Sequence, residues 1–241
     1  MMKKKIFILF FLMPTMSLFS QTIRFETEVK QDTAETNFGK NKKNNLSWGF
    51  QVGSYLNSEK TFQPYRSTVF TIGLSYNHKQ AKWYSYGLNL NLDISSFVLS
   101  KTLGEKTFPD TIIHDKADIS ITSMGIVLYQ RFNFFNKHRG KIYGNYLDIG
   151  IYGNLHLSSI YFYQDKEKTS SNNFFSKRQQ HYYRGLNFLN AYDYGVEFVM
   201  GRNWLSVFFR YRLSQQMKIS YIDNNNFPEM PNSIIGIRLL F

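Results

Sequence analysis

The chain has no cysteine. That excludes disulfides, thiolate metal sites, a cysteine nucleophile and a lipidated N-terminal cysteine. An exported chain of this kind must take its stability from another source. Long apolar runs are missing too: no segment approaches the roughly 18 consecutive apolar residues of a transmembrane helix. Helical periodicity is scarce. The glycines alternate with large residues in strand-like segments, so no phosphate-cradling loop is present. Acidic residues are the minority charge, 17 against 29 Lys and Arg, for a net charge of +12. A basic balance first suggests nucleic acid, but no RNA- or DNA-binding motif accompanies it. A surface facing anionic lipid or polysaccharide is the better match.

Aromatics are plentiful. They make up 18% of the 241 residues, with 17 Tyr and 23 Phe, and hydrophobic residues reach 43%. Disorder over the whole length is excluded by that composition. The N-terminus reads "MMKKKIFILFFLMPTMSLFSQ": Lys3, Lys4 and Lys5, then eight apolar residues from Ile6 to Met13, then Pro14 and small residues. Eight is too short to span a bilayer, and the pattern is that of a cleaved signal peptide, cut after Ser20 or Ser17. Removing the three lysines lowers the formal charge of +12 to about +9. Residues from Thr22 to Asn45 are polar and end in "GKNKKNN". The expected organisation is a signal peptide at 1–20, a flexible periplasmic tail at 21–45 and one β-domain at 46–241.

Alternation carries the fold signal. Eight segments show it: Trp48–Leu56, Phe70–Asn77, Tyr84–Ile94, Met124–Asn133, Leu147–Ser158, Tyr192–Met200, Leu205–Leu213 and Ser233–Phe241. One parity class of each is large and apolar. The other holds Gly, Ser, Asn and a set of charges. A sandwich gives the same alternation, so connection lengths decide. Ser58–Arg66, Ser100–Ala117, Gln164–Asn190 and Ser214–Pro231 are long; Asn77–Lys82, Asn136–Lys141 and Gly201–Asn203 are short. Strict alternation of long and short connections is expected of an up-and-down antiparallel transmembrane barrel, which has short periplasmic turns and longer external loops. Up-and-down order also puts Trp48, Trp83, Trp204 and Phe241 on one rim, as an aromatic girdle would be. The other rim draws on Tyr55, Phe70, Phe97, Tyr161, Tyr163, Tyr192 and Tyr211. Eight strands enclose room only for side chains, and buried charges must be paired. Asp93, Arg131, Asp148, Glu197, Arg210, Arg212 and Arg238 are therefore expected to form an interior polar network, with Glu197 near Arg210 or Arg212. Ser176–Leu189 and Met217–Ile222 leave ten strands open as an alternative.

The signal peptide, eight alternating segments, asymmetric loops and terminal "SIIGIRLLF" resemble the small outer-membrane β-barrel proteins, the porin-family and PorT-like group, over about Leu46 to Phe241. The last segment is similar to the C-terminal signal read by the barrel-assembly machinery. The resemblance implies integral outer-membrane location, contact with outer-membrane lipid and lipopolysaccharide, assembly by that machinery and a monomeric barrel. It implies no substrate.

Chemistry-bearing constellations are few. "NLHLSS" (Asn154–Ser159) places His156 and Ser158 on one face, the interior one by parity, with Asp148 roughly 27 Å away along the strand. That distance forbids a triad. Asp110, His114, Asp115 and Asp118 cluster in one loop without a spacing that fixes a metal geometry. "KRQQHYYRG" (Lys177–Gly185) either binds polysaccharide or lipopolysaccharide phosphate from outside or extends a strand pair above the membrane, with Tyr182 and Tyr183 stacking on neighbours. The reading is a non-enzymatic barrel with no cofactor, no metal and no nucleic-acid partner. Its role is structural, adhesive or envelope-associated, through its surface loops. The competing readings are a narrow porin or secretion-system component, an envelope lipid hydrolase, and a secreted soluble lipocalin-like barrel.

Overall fold

The computed structural model describes residues 42–56, 62–100, 114–134, 144–166, 178–220 and 229–241. The expected signal peptide, almost all of the tail, Asp110 and Lys177 lie outside the described residues. Among these residues, alternating apolar and small polar side chains form nine strands: β1 (Asn44–Tyr55), β2 (Thr68–Lys79), β3 (Tyr84–Val98), β4 (Lys116–Phe134), β5 (Asn145–Lys166), β6 (Arg178–Arg184), β7 (Tyr192–Arg202), β8 (Leu205–Arg212) and β9 (Ser233–Leu240). Among the described residues no helix is long and apolar enough to cross a membrane.

Eight strands pair antiparallel in the order β1-β2-β3-β4-β5-β7-β8-β9. β9 returns to β1, from Gly49↔Leu240 to Tyr55↔Ile234, so the sheet closes into a ring. Closure leaves no unpaired edge in that ring. β6 stands outside it and pairs with the far half of β5, from Ile160↔Arg184 to Lys166↔Arg178. The first of the two extra segments left open by the sequence is thus a real strand. Of the second, Met217 makes an isolated bridge to Leu189. The ring stays at eight. The β7–β8 turn is tight because Asn203 takes a left-handed conformation (φ 58°), which its short polar side chain tolerates.

Residues directly opposite across paired strands share a face. The row Phe70, Ile94, Thr122 faces outward; the next row, Thr71, Asp93, Ser123, faces inward. Outward Ile72, Leu74, Leu90, Ile126, Leu128, Ile151, Val207 and Ile237 are exposed, whereas inward Gln51, Thr71, Asn89 and Asp93 are buried. A soluble sandwich or barrel has the opposite polarity. Four inward glycines each lie opposite an aromatic ring: Gly87 and Tyr129, Gly195 and Tyr152, Gly201 and Tyr146, Gly236 and Phe208. A Cβ at any of them would overlap that ring. The missing side chain is what lets each ring lie across the neighbouring strand.

Towards the long-loop end the interior turns apolar. Tyr55, Phe62, Phe97, Ile119, Ile121, Tyr161, Phe188, Leu189, Met217 and Met230 form one cluster there, and Tyr146, Val199 and Phe208 continue it along the β5–β7–β8 wall. Tyr55, Phe97 and Tyr161 were expected on the outer rim but point inward; Phe70, Tyr192 and Tyr211 are exposed. The reversal has a plain cause. Tyr161 faces inward because it follows an inserted residue in β5; for Tyr55 and Phe97 the inward parity class inside the cluster is the apolar one, so alternation persists with its sign inverted. For the same reason β4 begins at Lys116, well before the predicted Met124.

β5 is longer than expected because it carries a bulge. Ser123 pairs with His156 and Thr122 with Ser158, which leaves Leu157 as the extra residue. A bulge adds one residue and flips the facing of everything beyond it. Simple alternation therefore loses the strand at Ser158, although it runs on to Lys166.

Candidate functional site

The interior is built from charged side chains that the ring forces together. Arg131 on β4 lies opposite Asp148 on β5. Its Nε donates to Asp148 Oδ1 at 2.6 Å and its Nη2 to Oδ2 at 2.8 Å. This is the bidentate geometry that suits guanidinium and carboxylate. The guanidinium sits 4.0 Å from the Tyr146 ring centroid and 5.5 Å from that of Tyr129. The ion pair is enclosed by aromatic faces.

A second assembly centres on Arg210 of β8. Its Nε and Nη2 donate to Glu197 Oε2 at 3.0 and 2.7 Å, and its Nη1 donates to Asp93 Oδ2 at 2.9 Å. Glu197 is the directly opposite residue on β7. Asp93 is on β3, four strands away in either direction round the ring. The Arg210–Asp93 bond therefore crosses the interior from wall to wall. Arg238 Nη1 lies 3.9 Å from Glu197 Oε1, and the Tyr152 ring lies 4.9 Å from the Arg210 guanidinium.

Arg212 differs from expectation. It bonds Gln216 Oε1 through Nη1 and the Met230 carbonyl through Nη2 at 2.8 Å. It thus ties the two sides of the β8–β9 connection to the ring rather than pairing with Glu197. Register explains this: Glu197 is opposite Arg210, and Arg212 faces Gly195.

The sequence reading left Asp193 out of the network, although it shares the parity of Glu197. It accepts from Asn154 Nδ2 at 3.0 Å and pairs with His156 Nε2 at 2.8 Å. His156 Nδ1 lies 2.7 Å from the Asn190 carbonyl. Both ring nitrogens are thus occupied. Among the described residues the buried arginines Arg131, Arg210, Arg212 and Arg238 equal in number the buried carboxylates Asp93, Asp148, Asp193 and Glu197.

The expected shared face of His156 and Ser158 is not found. The bulge at Leu157 puts His156 in the inward row with Ser123 and Ser158 in the outward row with Thr122. His156 has no free ring nitrogen to act as base, and the serine is on the other side of the wall. The loop cluster also resolves differently. His114 Nδ1 pairs with Asp165 Oδ2 of β5 at 2.7 Å, and Asp165 Oδ1 accepts from the Asp115 amide at 3.1 Å. Among the described residues no three His, Asp or Glu side chains are grouped to hold a metal ion. Tyr163 stacks on His114 and on His181, and Tyr182 packs on Phe162, so "KRQQHYYRG" forms the strand pair β5–β6 where it is described.

Among the described residues two small cavities lie beside these charges. A cavity of about 20 Å³ lies between Tyr55, Asp93, Tyr152, Asp193, Arg210 and Arg212. Another of about 10 Å³ lies beside Gln51, Thr71, Asn91 and Arg238. Each has room for about one water. At the short-turn end Trp48, Trp83, Trp204 and Phe241 are all exposed, and Trp48 stacks on Phe241 at 5.1 Å. Backbone bonds Phe241 N to Trp48 O (2.8 Å) and Leu240 N to Trp204 O (2.8 Å) hold three of the four side by side. No family model, curated protein or solved structure matches this chain.

Proposed function

We propose that the chain is an integral outer-membrane β-barrel with a non-catalytic structural, adhesive or envelope-associated role, its long-loop end forming the contact region. One observation carries the reading: the ring is apolar outside and charged inside. Burying a Leu, Ile or Phe side chain is worth about 1.5–3 kcal/mol. A continuous belt such as Ile72, Leu74, Leu90, Ile126, Ile151 and Ile237 left in water forfeits that at every position. A hydrocarbon environment recovers it. Lipid also demands that every backbone group be paired within the protein, which closure achieves. The Trp48, Trp83, Trp204 and Phe241 cluster supports an interfacial girdle at the periplasmic rim. The export signal at 1–20 agrees, and β9 would serve the assembly machinery as the closing strand. A lipocalin-like barrel needs the opposite polarity. The narrow-porin reading is disfavoured by the Asp93–Arg210–Glu197 bridge and by the apolar cluster beyond it.

Envelope fractionation combined with a heat-modifiability gel tests the proposal. The expected result is recovery in the outer-membrane fraction and a mobility shift on boiling. A freely soluble, unshifted protein would overturn it.

A further inference from the structure

β5 changes partners midway. It pairs with β7 up to Leu155↔Tyr192 and with β6 from Ile160↔Arg184 onward. Between them the chain from Gly185 to Ala191 dips inward to seat Phe188 and Leu189 in the apolar cluster. The wall is left with a groove of about 470 Å³ lined by residues that include His156, Leu157, Ser158, Asn187 and Lys218. The bulge turns Ser158 outward into it. Lys218 is exposed at its edge and held there by its amide bond to the Phe188 carbonyl (2.9 Å). His156 forms the floor with both nitrogens committed, so the cation available to a ligand is Lys218. Directly below the groove, Leu155 and Tyr192 are exposed and apolar-faced.

We propose that this groove is a headgroup site for a phosphate-bearing membrane lipid, which rests on the membrane reading above. The Lys218 ammonium and the Ser158 hydroxyl hold the phosphate, and the acyl chains run down the outer wall over Leu155 and Tyr192. The same groove is too far open and too polar for a purely apolar guest, and its charge fits an anion.

The test uses full-length protein refolded in zwitterionic micelles, titrated by native mass spectrometry with phosphatidic acid and with diacylglycerol of the same chains. Phosphatidic acid is expected to be retained about tenfold more tightly, the scale of one charge-assisted contact. Lys218→Gln removes most of that difference, Ser158→Ala part of it, and Lys116→Gln, an exposed lysine elsewhere at the long-loop end, none. Equal retention of the two lipids, or an unchanged preference in Lys218→Gln, overturns the proposal. Displacement by equimolar inorganic phosphate assigns the site to free phosphate and overturns the lipid. The boiling shift is read on the same samples. A shift without lipid discrimination defeats the groove alone; a chain that stays soluble and unshifted without detergent defeats the membrane reading and the groove together.

Discussion

Arg131 and Asp148 show what single residues must do in this molecule. Both are buried, and each satisfies the other. Removing one partner leaves an uncompensated charge, which costs about 3–5 kcal/mol, whereas replacing both with apolar residues of similar size is often close to neutral. Arg131→Met is therefore expected to lower unfolding stability in urea by about that amount, and the Arg131→Met, Asp148→Leu pair to recover most of it. A double variant as unstable as the single one would mean that the pair fixes the register and not merely a charge. Gly195 gives a second residue-level prediction. A methyl there meets the Tyr152 ring and the Tyr211 carbonyl, and overpacking of this kind costs about 1–3 kcal/mol. Gly195→Ala should shift the urea midpoint down, and adding Tyr152→Leu should restore part of the loss. No recovery would show that the carbonyl contact dominates.

At the scale of elements, β5 carries the least uniform pattern. Its first half obeys one parity and its second half the other, because Leu157 is inserted opposite β4. Deleting Leu157 removes the extra residue and leaves Ser158 opposite Thr122, Tyr161 opposite Ile119 and Tyr163 opposite Ala117, so Tyr163 keeps its stacks on His114 and His181. The β5–β6 hairpin should then stay as protease-resistant as in the parent chain, with the ring intact. Limited proteolysis followed by the gel-mobility shift reads the two separately. Cleavage confined to the hairpin of the deletion variant would show that the bulge itself is needed there. His156→Ala and Ser158→Ala separate the faces of the same strand. The first takes His156 from Asp193, leaving it the Asn154 bond, and is expected to destabilise by about 1–3 kcal/mol; the second is expected to stay within about 0.5 kcal/mol. Thermal unfolding of the two variants side by side checks this.

At the scale of the whole molecule, the ring has two obstructions in series. The Arg210–Asp93 bond joins opposite walls, and the apolar cluster fills the long-loop end. The protein in a planar bilayer is expected to give no steady conductance above leak. Steady openings in the parent chain would require both obstructions to move and would revive the porin reading. Asp93→Ala alone is expected to stay closed, since the cluster remains and Glu197 still holds Arg210.

The sequence by itself determined the strand pattern, because a closed sheet whose two faces differ in polarity writes a period of two into nearly every segment. It also marked Asp93, Arg131, Asp148, Glu197, Arg210, Arg212 and Arg238 as buried, since all sit in the small-residue parity class, and it missed Asp193 of the same class. Those features are local, and local alternation reports them. Partnership is not local. Asp93 meets Arg210 across 117 residues of chain, and whether Glu197 takes Arg210 or Arg212 depends on register alone. The tertiary structure also decided where the two faces exchange character. Near the long-loop end the interior is apolar, which reversed the reading of Tyr55 and Phe97, and the shift in β5 turned Tyr161 inward as well. One inserted residue at Leu157 separated His156 from Ser158. Alternation shows that a side chain changes face at every step; only the packed ring shows which face is the inside and where the count slips by one.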